Sequence, residues 1–251
     1  MSKPIALITG ATSGIGEATA RCLAKDYRLI ICGRRQDRLT KLEKELAEET
    51  EVTTLSFDVR DRLAAETAIS GLPAKWQSVD VLINNAGNAH GLSAIQDGQV
   101  ADWDAMIDIN VKGLLYVSNA VIPGMVSRQK GHIINIGSVA GIEVYPKGNV
   151  YNASKYAVDA ISKGMRQDLI TEGIKVSEIK PGLVQTEFSA VRFKGDQERA
   201  EKVYVGFDPL QAQDIAETVA FILSRPAHVN IADMLVLAGA QASATMVHKK
   251  N

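Results

Sequence analysis

Seven short apolar runs punctuate the chain, and amphipathic or charged stretches fill the spaces between them. The runs are "IALIT" (5–9), "RLIIC" (28–32), "VTTLSF" (52–57), "VDVLIN" (79–84), "HIINIG" (132–137), "KVSEIK" (175–180) and "DMLVL" (233–237). Several are nearly all apolar, as strands covered on both faces must be, so they predict a parallel sheet. Ile15, Ala18 and Cys22 recur at helical spacing after a glycine turn. Leu39, Leu42 and Leu46 do the same inside "LTKLEKELAEE", whose charges predict a solvent-facing side. Residues 101–128 are apolar on most sides (Met106, Ile107, Leu114, Leu115, Val121, Ile122), which predicts a helix buried in the core or against another subunit. No linker, repeat or low-complexity tract interrupts the alternation. The expected fold is α/β: one domain over 1–251, a Rossmann-type doubly wound parallel sheet of seven strands flanked by helices, with ligands at the carboxyl ends of the strands.

Composition narrows the function classes. With 251 residues, 46% hydrophobic and 23% charged, the chain has enough apolar material for one large core. A net charge of −1 and 5% aromatics argue against a nucleic-acid surface. Cys22 and Cys32 both sit in apolar patterns and read as reduced core thiols of a cytosolic protein. His90, His132, His228 and His248 share no ligand spacing, so no metal is expected. The opening "MSKPIALITG" is too short for a signal or a membrane span, and no other segment approaches twenty unbroken apolar residues. A soluble cytoplasmic protein with no membrane partner is the expectation.

The first strand runs into "TGATSGIGEATA". Gly10 permits the tight exit, Gly14 lets a ligand approach the backbone, and Gly16 lets the next helix pack close to the sheet. The helix N-terminus then offers free N–H groups to a pyrophosphate. No Lys-Ser/Thr follows the last glycine, which counts against a P-loop, and the spacing differs from Gly-x-Gly-x-x-Gly. The context of strand, turn and helix favours dinucleotide binding over a simple glycine-rich turn. The second strand ends in "CGRRQDRL", with Arg34 and Arg35 where an NAD enzyme places an acid for the ribose 2′-hydroxyl. Two cations ahead of a helix start oppose its dipole, and a 2′-phosphate would neutralise them. NADP is therefore the expected cofactor, with a solvated arginine pair as the alternative.

Further on lie "NNAG" (84–87), Asn110 within a helical pattern, Ser138 closing a strand, "YNASK" (151–155) and "PGLVQT" (181–186). Each alone has a structural explanation: turn residues, a capping hydroxyl, punctuation. In this order on one α/β frame, together with "TGATSGIG", they resemble the short-chain dehydrogenase/reductase family over essentially the full chain. That resemblance implies hydride transfer between a nicotinamide dinucleotide and a carbonyl or alcohol, with Asn110, Ser138, Tyr151 and Lys155 as the catalytic tetrad.

The residue types suit the task. Tyr151 and Lys155, four apart, share a helix face. An ordinary phenol with a pKa near ~10 is scarcely ionised at neutral pH, and a neighbouring ammonium with the oxidised nicotinamide would bring it toward working pH. Tyr151 then serves as general acid or base, and Ser138 hydrogen-bonds the substrate oxygen. By the resemblance, Lys155 also holds the nicotinamide ribose and Asn110 holds a water linking Lys155 to solvent. Thr12, Ser13 and Ile15 belong to the phosphate turn; Asp58 and Val59 meet the adenine. Asn85, Ala86 and Gly87 line the adenosine side, and Pro181, Gly182, Val184 and Thr186 embrace the carboxamide and pyrophosphate. A homotetramer is implied too, with the 101–128 helix and the Tyr151 helix in its contacts.

Within the family, "GRRQDRL", "RPAHVNI" (225–231) and the segment after "PGLVQTE" are similar to bacterial NADP-dependent 3-hydroxy acid dehydrogenases, which also oxidise serine and allo-threonine. A mobile substrate flap is expected at about 185–210. Such substrates carry a carboxylate, for which Arg192 is the expected partner and Lys194 the second choice. Glu143 pointing inward would repel that carboxylate. The alternatives are a 3-oxoacyl-thioester or general ketone and aldehyde reductase of the same family, and a nonenzymatic NADP-sensing protein.

Overall fold

In the computed structural model, which describes residues 3–250, the seven expected strands form one parallel sheet. They are β1 (Ile5–Thr9), β2 (Arg28–Gly33), β3 (Val52–Ser56), β4 (Val79–Asn84), β5 (Gly131–Ile136), β6 (Ile174–Pro181) and β9 (Asp233–Val236). Their order is β3-β2-β1-β4-β5-β6-β9. The chain builds outward from β1 through β2 to β3, then returns to pair β4 on the other side of β1. That reversal opens a crevice at the carboxyl ends of β1 and β4.

The unbroken apolar runs have a direct cause. Leu7, Ile30, Leu82 and Ile133 enter a core with Ala65 and Ile69 of α3 (Arg62–Ser70) and with Val117, Val121 and Met125 of α5 (Gly113–Arg128). Their neighbours Ile8, Ile31, Ile83 and Ile134 enter a second core. There they meet α1 (Gly14–Leu23), Leu39, Leu42 and Leu46 of α2 (Gln36–Leu46), and α9 (Ala212–Leu223). Alternate residues of a strand face opposite sides, so a strand covered twice is apolar at consecutive positions wherever no buried polar partner is supplied.

Two expectations shift. In α1 the fully buried residues are Gly16, Thr19, Ala20 and Leu23, one position on from Ile15, Ala18 and Cys22. Cys22 is thus only half-buried, and Cys32, on β2 between β1 and β3, is the true core thiol. Residues 100–128 are not one uniform helix. α4 (Val100–Ile107) passes through a π-helical turn (Asp108–Lys112) into α5. By length and composition this stretch matches a membrane span, but 44% of its most apolar part is buried inside the protein. Its apolarity serves the core on one face, while Val100 and Leu115 remain exposed on another.

α6 (Asn149–Asp168) lies against β6. There the buried Lys180 ammonium pairs with Asp159 of α6 at 3.0 Å, with Glu178 at 3.2 Å and with Asp233 of β9. Burial raises the Glu178 carboxyl to about 7 despite this partner. After β6, β7 (Val184–Gln185) and β8 (Leu210–Gln211) pair with each other. They bracket α7 (Phe188–Arg192) and α8 (Gln197–Lys202), so the expected flap is a pair of short helices on a closed neck.

Candidate active site

The glycine turn is held by backbone geometry and by the "NNAG" loop. Gly10 has φ of +67°, a conformation side chains disfavour. A Cβ on Gly16 would overlap the Asn85 side chain and the Gly10 carbonyl. The Asn85 amide donates to the carbonyls of Thr9 at 2.9 Å and Gly10 at 3.2 Å, while Thr9 Oγ1 accepts from the N–H groups of Asn85 and Ala86. Behind them Asn84 donates to Ser118 Oγ and Asn135 Oδ1, both at 2.9 Å. Asn85 is therefore a bracket for the first turn as well as a wall of the cleft. Ser13 precedes α1 without a side-chain capping bond, which leaves the first-turn N–H groups open to an anion.

The arginine pair is open to solvent, Arg34 more than Arg35, yet it is not short of counter-charge. Arg34 Nη1 approaches Asp58 Oδ2 at 3.4 Å. Burial works upward on Asp58, but hydrogen bonds from Arg60 and the charge of Arg34 carry its carboxyl below the usual range. Arg35, just ahead of α2, lies across the glycine turn, donating to Thr12 Oγ1, to the Thr12 carbonyl and to Ser13 Oγ. Its Nη1 also pairs with Glu187 Oε2 at 2.9 Å, and Arg38 Nη1 meets Glu187 Oε1 at 2.6 Å. The anion that the sequence seemed to demand at the α2 N-terminus is supplied in part by carboxylates remote in the chain.

One cleft of about 520 Å³ runs from Arg34, Arg35, Asp58 and Val59 past Thr12, Ser13, Gly14 and Ile15 to Ser138, Tyr151 and Lys155. Ala86 and Gly87 line one wall; Pro181, Gly182, Val184 and Thr186 line another. Ser138 Oγ caps the short turn after β5 by accepting from Ala140 N–H at 3.1 Å. Tyr151 and Lys155 stand one turn apart on α6, both buried. Lys155 Nζ donates to the Ile136 carbonyl at 2.9 Å. Burial lowers its ammonium to about 8, with Glu178 opposing.

For Tyr151 the expected acidification is not present in the protein alone. Burial pushes the phenol up and Tyr145 adds to it, while the Ser138 hydroxyl and the Arg192 guanidinium act the other way. Lys155 is not among the groups that lower it. Its neighbours are polar as well as aromatic: the Phe188 ring lies 5.6 Å from the Tyr151 ring and the Arg192 guanidinium 5.4 Å above it.

Asn110 and Gly16 are absent from the cleft wall. Asn110 stands behind it in the π turn, accepting from Asn88 N–H at 2.9 Å and donating to the Asn88 carbonyl at 2.8 Å and to Ser154 Oγ at 3.0 Å. Those three hydrogen bonds satisfy a buried asparagine in an apolar stretch, and π turns are frequent at functional sites.

Arg192 lines the cleft, anchored by Nε to the Gly91 carbonyl at 3.2 Å and lying over the Tyr145 ring at 5.5 Å. Lys194 instead pairs with Asp102 at 2.9 Å. Glu143 accepts from Ala244 N–H at 2.8 Å, so its carboxylate serves the carboxyl tail. That tail returns to the site: Gln241 Oε1 accepts from Leu183 N–H at 2.9 Å, and Gln241 and Ala244 line the cleft. Sequence reasoning missed Arg38, Tyr145, Glu187, Phe188 and Gln241. Arg38 follows Arg34 at helical spacing, which was a usable signal. The other four owe their position to chain segments meeting from afar.

The sequence profile described as short chain dehydrogenase matches residues 4–197, and the chain belongs to the short-chain dehydrogenase/reductase family. It is 50% identical over 229 residues to the NADP-dependent 3-hydroxy acid dehydrogenase YdfG of Salmonella typhi, covering 90% of this chain and 92% of that one. It is 44% identical over 240 residues to sulfoacetaldehyde reductase 2 of Chromohalobacter salexigens, covering 95% of each. Among solved structures, the closed form of serine dehydrogenase complexed with NADP+ superposes with a TM-score of 0.92 at 45% identity, covering 98% of this chain and all of that one.

Proposed function

We propose that this protein is an NADP-dependent oxidoreductase acting on a small 3-hydroxy acid or a related alcohol or carbonyl compound, with Tyr151 as its general acid and base. The observation that carries this reading is the Arg192 guanidinium 5.4 Å from the Tyr151 ring in a cleft that begins at Arg34 and Arg35. One end suits a 2′-phosphate, the glycine turn suits a pyrophosphate, and the other end sets an anion-binding group beside a phenol. Tyr151, Lys155, Ser138 and Asn110 are all intact, which favours an enzyme over a nonenzymatic NADP-sensing protein.

A nicotinamide held by Pro181, Gly182 and Lys155 would supply the hydride chemistry at the substrate carbon; the protons are the protein's task. In reduction, Tyr151 gives its phenol proton to the carbonyl oxygen, a role suited to a phenol that burial keeps protonated. In oxidation, the phenolate takes the proton of the substrate hydroxyl; the Arg192 guanidinium favours it in the protein alone, and the Lys155 ammonium one turn along α6 would add to this beside a positively charged nicotinamide. Ser138 steadies the substrate oxygen, and Asn110 is a positioning residue that fixes the Asn88 backbone against Ser154 of α6. Arg192 grips the substrate carboxylate at two points, which guanidinium geometry favours. A small aldehyde bearing a sulfonate is a second reading, supported by the sulfoacetaldehyde reductase relative, and it uses the same cation.

The exposed Val100 and Leu115 of the 100–128 stretch support subunit contacts in a homotetramer, and the compartment is read as cytoplasm. Light scattering should give four times the chain mass. A panel of 3-hydroxy acids, serine, threonine isomers, sulfoacetaldehyde, a 3-oxoacyl thioester and simple ketones, each with NADP(H) and NAD(H), tests the reading. Turnover should be highest for 3-hydroxy acids with NADP. Equal rates on uncharged ketones would remove the anion requirement.

A further inference from the structure

Glu187 stands at the start of the flap, immediately before α7, yet its carboxylate is spent on the far end of the cleft. Its two oxygens take Arg35 Nη1 at 2.9 Å and Arg38 Nη1 at 2.6 Å. The donors of Arg35 are nearly exhausted by these contacts. A guanidinium has five N–H groups. Nε donates to Thr12 Oγ1, Nη2 is shared among Thr12 and Ser13 oxygens, and Nη1 gives one hydrogen to Glu187. One N–H of Nη1 remains. A two-point grip on a phosphate by Arg35 therefore requires release of a present partner. Thr12 and Ser13 belong to the glycine turn itself, whereas Glu187 belongs to the flap and is itself an anion beside any incoming phosphate.

We propose that Glu187 is a cofactor-specificity residue whose carboxylate competes with the 2′-phosphate of NADP for Arg35 and Arg38, so that the phosphate frees the start of the flap. This rests on the assignment of the 2′-phosphate to the arginine cluster. A ligand shifts a conformational equilibrium only through differential interaction with its states, and here the difference is the Glu187 pair. NAD carries no group to break it. The flap is held at its other side by Gly91 N–H to the Arg192 carbonyl at 2.9 Å, by Arg192 Nε to Gly91 and by Lys194 with Asp102. Loss of the Glu187 contact would loosen the phosphate side while leaving Arg192 in place. Cofactor identity in this way sets how firmly the phosphate side of the flap is held, independently of the Arg192 anchor.

The test uses adenosine 2′,5′-bisphosphate, which carries the 2′-phosphate without a nicotinamide half, and 5′-AMP, which lacks it. Glu187→Gln should tighten the bisphosphate by about three- to fivefold, the upper end for an exposed ion pair, and change 5′-AMP by less than about twofold. In the wild-type chain the bisphosphate should speed amide hydrogen exchange over 188–193 and 5′-AMP should not. In Glu187→Gln that exchange should already be fast with no ligand bound. Weaker or unchanged bisphosphate binding in Glu187→Gln, equal tightening of both ligands, or slower flap exchange with the bisphosphate would each overturn the proposal. Arg35→Gln separates the two layers. If it binds the bisphosphate as the wild type does, the phosphate assignment itself falls. If it loses the bisphosphate while Glu187→Gln gains nothing, competition alone falls.

Discussion

The phosphate end and the substrate end of the cleft are built by different means. At the phosphate end, the glycine turn is locked by side-chain-to-backbone hydrogen bonds of Thr9 and Asn85 at the ends of β1 and β4. At the substrate end, Phe188 and Arg192 arrive on one short helix, with Glu187 just before it, tied down by a few ion pairs and a carbonyl. A rigid first half can bind one cofactor type across many enzymes, while a lightly attached second half can change with the substrate. Tyr151 and Lys155 belong to neither extreme: they lie on the long α6, whose packing fixes the proton chemistry at the junction.

Tyr151→Phe should break that division most sharply. It removes the proton and little else, so turnover should fall by about a hundredfold to ten-thousandfold, the usual worth of a general acid, while the dissociation constant for NADPH stays nearly level. Retained turnover would take Tyr151 out of its role. Arg192→Ala acts only at the substrate end. The KM for a 3-hydroxy acid should rise about tenfold or more, as expected for a lost charged hydrogen bond, with NADPH binding unchanged and Arg192→Lys intermediate. An unmoved KM would leave Arg192 as scaffolding.

The smallest effect concerns the sheet beneath both halves. His132 on β5 is buried beside Ser177 at 2.8 Å, and burial, aided by Lys175, lowers its imidazole to about 4. The unfolded chain takes up that proton near pH 6.5 and the folded protein does not until about 4. Stability is therefore full above about pH 6.5 and is lost as pH falls toward 4. The loss should be of the order of 2 kcal/mol, or roughly 5 °C in Tm. Thermal melts at pH 5 and 7 should show it, and His132→Gln should flatten the difference. An equal slope in that variant would place the acid sensitivity elsewhere, for instance at the Lys180 cluster.

The strands were legible because a sheet buried on both faces writes its position as unbroken apolar runs, and all seven fell within a residue or two of their place. The buried face of α1 was misjudged by one position. Ile15, Ala18 and Cys22 fit helical spacing as well as Gly16, Thr19, Ala20 and Leu23 do, and small residues that allow close packing carry no hydrophobic signal. Arg34 and Arg35 were visible, but their partners were not: Glu187 lies 152 positions from Arg35. Nor could spacing reveal that Glu143 would be taken by the tail at Ala244.

Alone, the sequence determined the sheet, the glycine turn, the shared face of Tyr151 and Lys155 and, through its ordered motifs, the family. Those features depend on short-range periodicity and on residue types at fixed spacing, which a linear string records. Only the tertiary structure decided the charge state and company of the site. Burial holds the Tyr151 phenol protonated, and carboxylates from distant segments quench the arginines. Desolvation and long-range ion pairing depend on what folding brings together, and no local pattern encodes that.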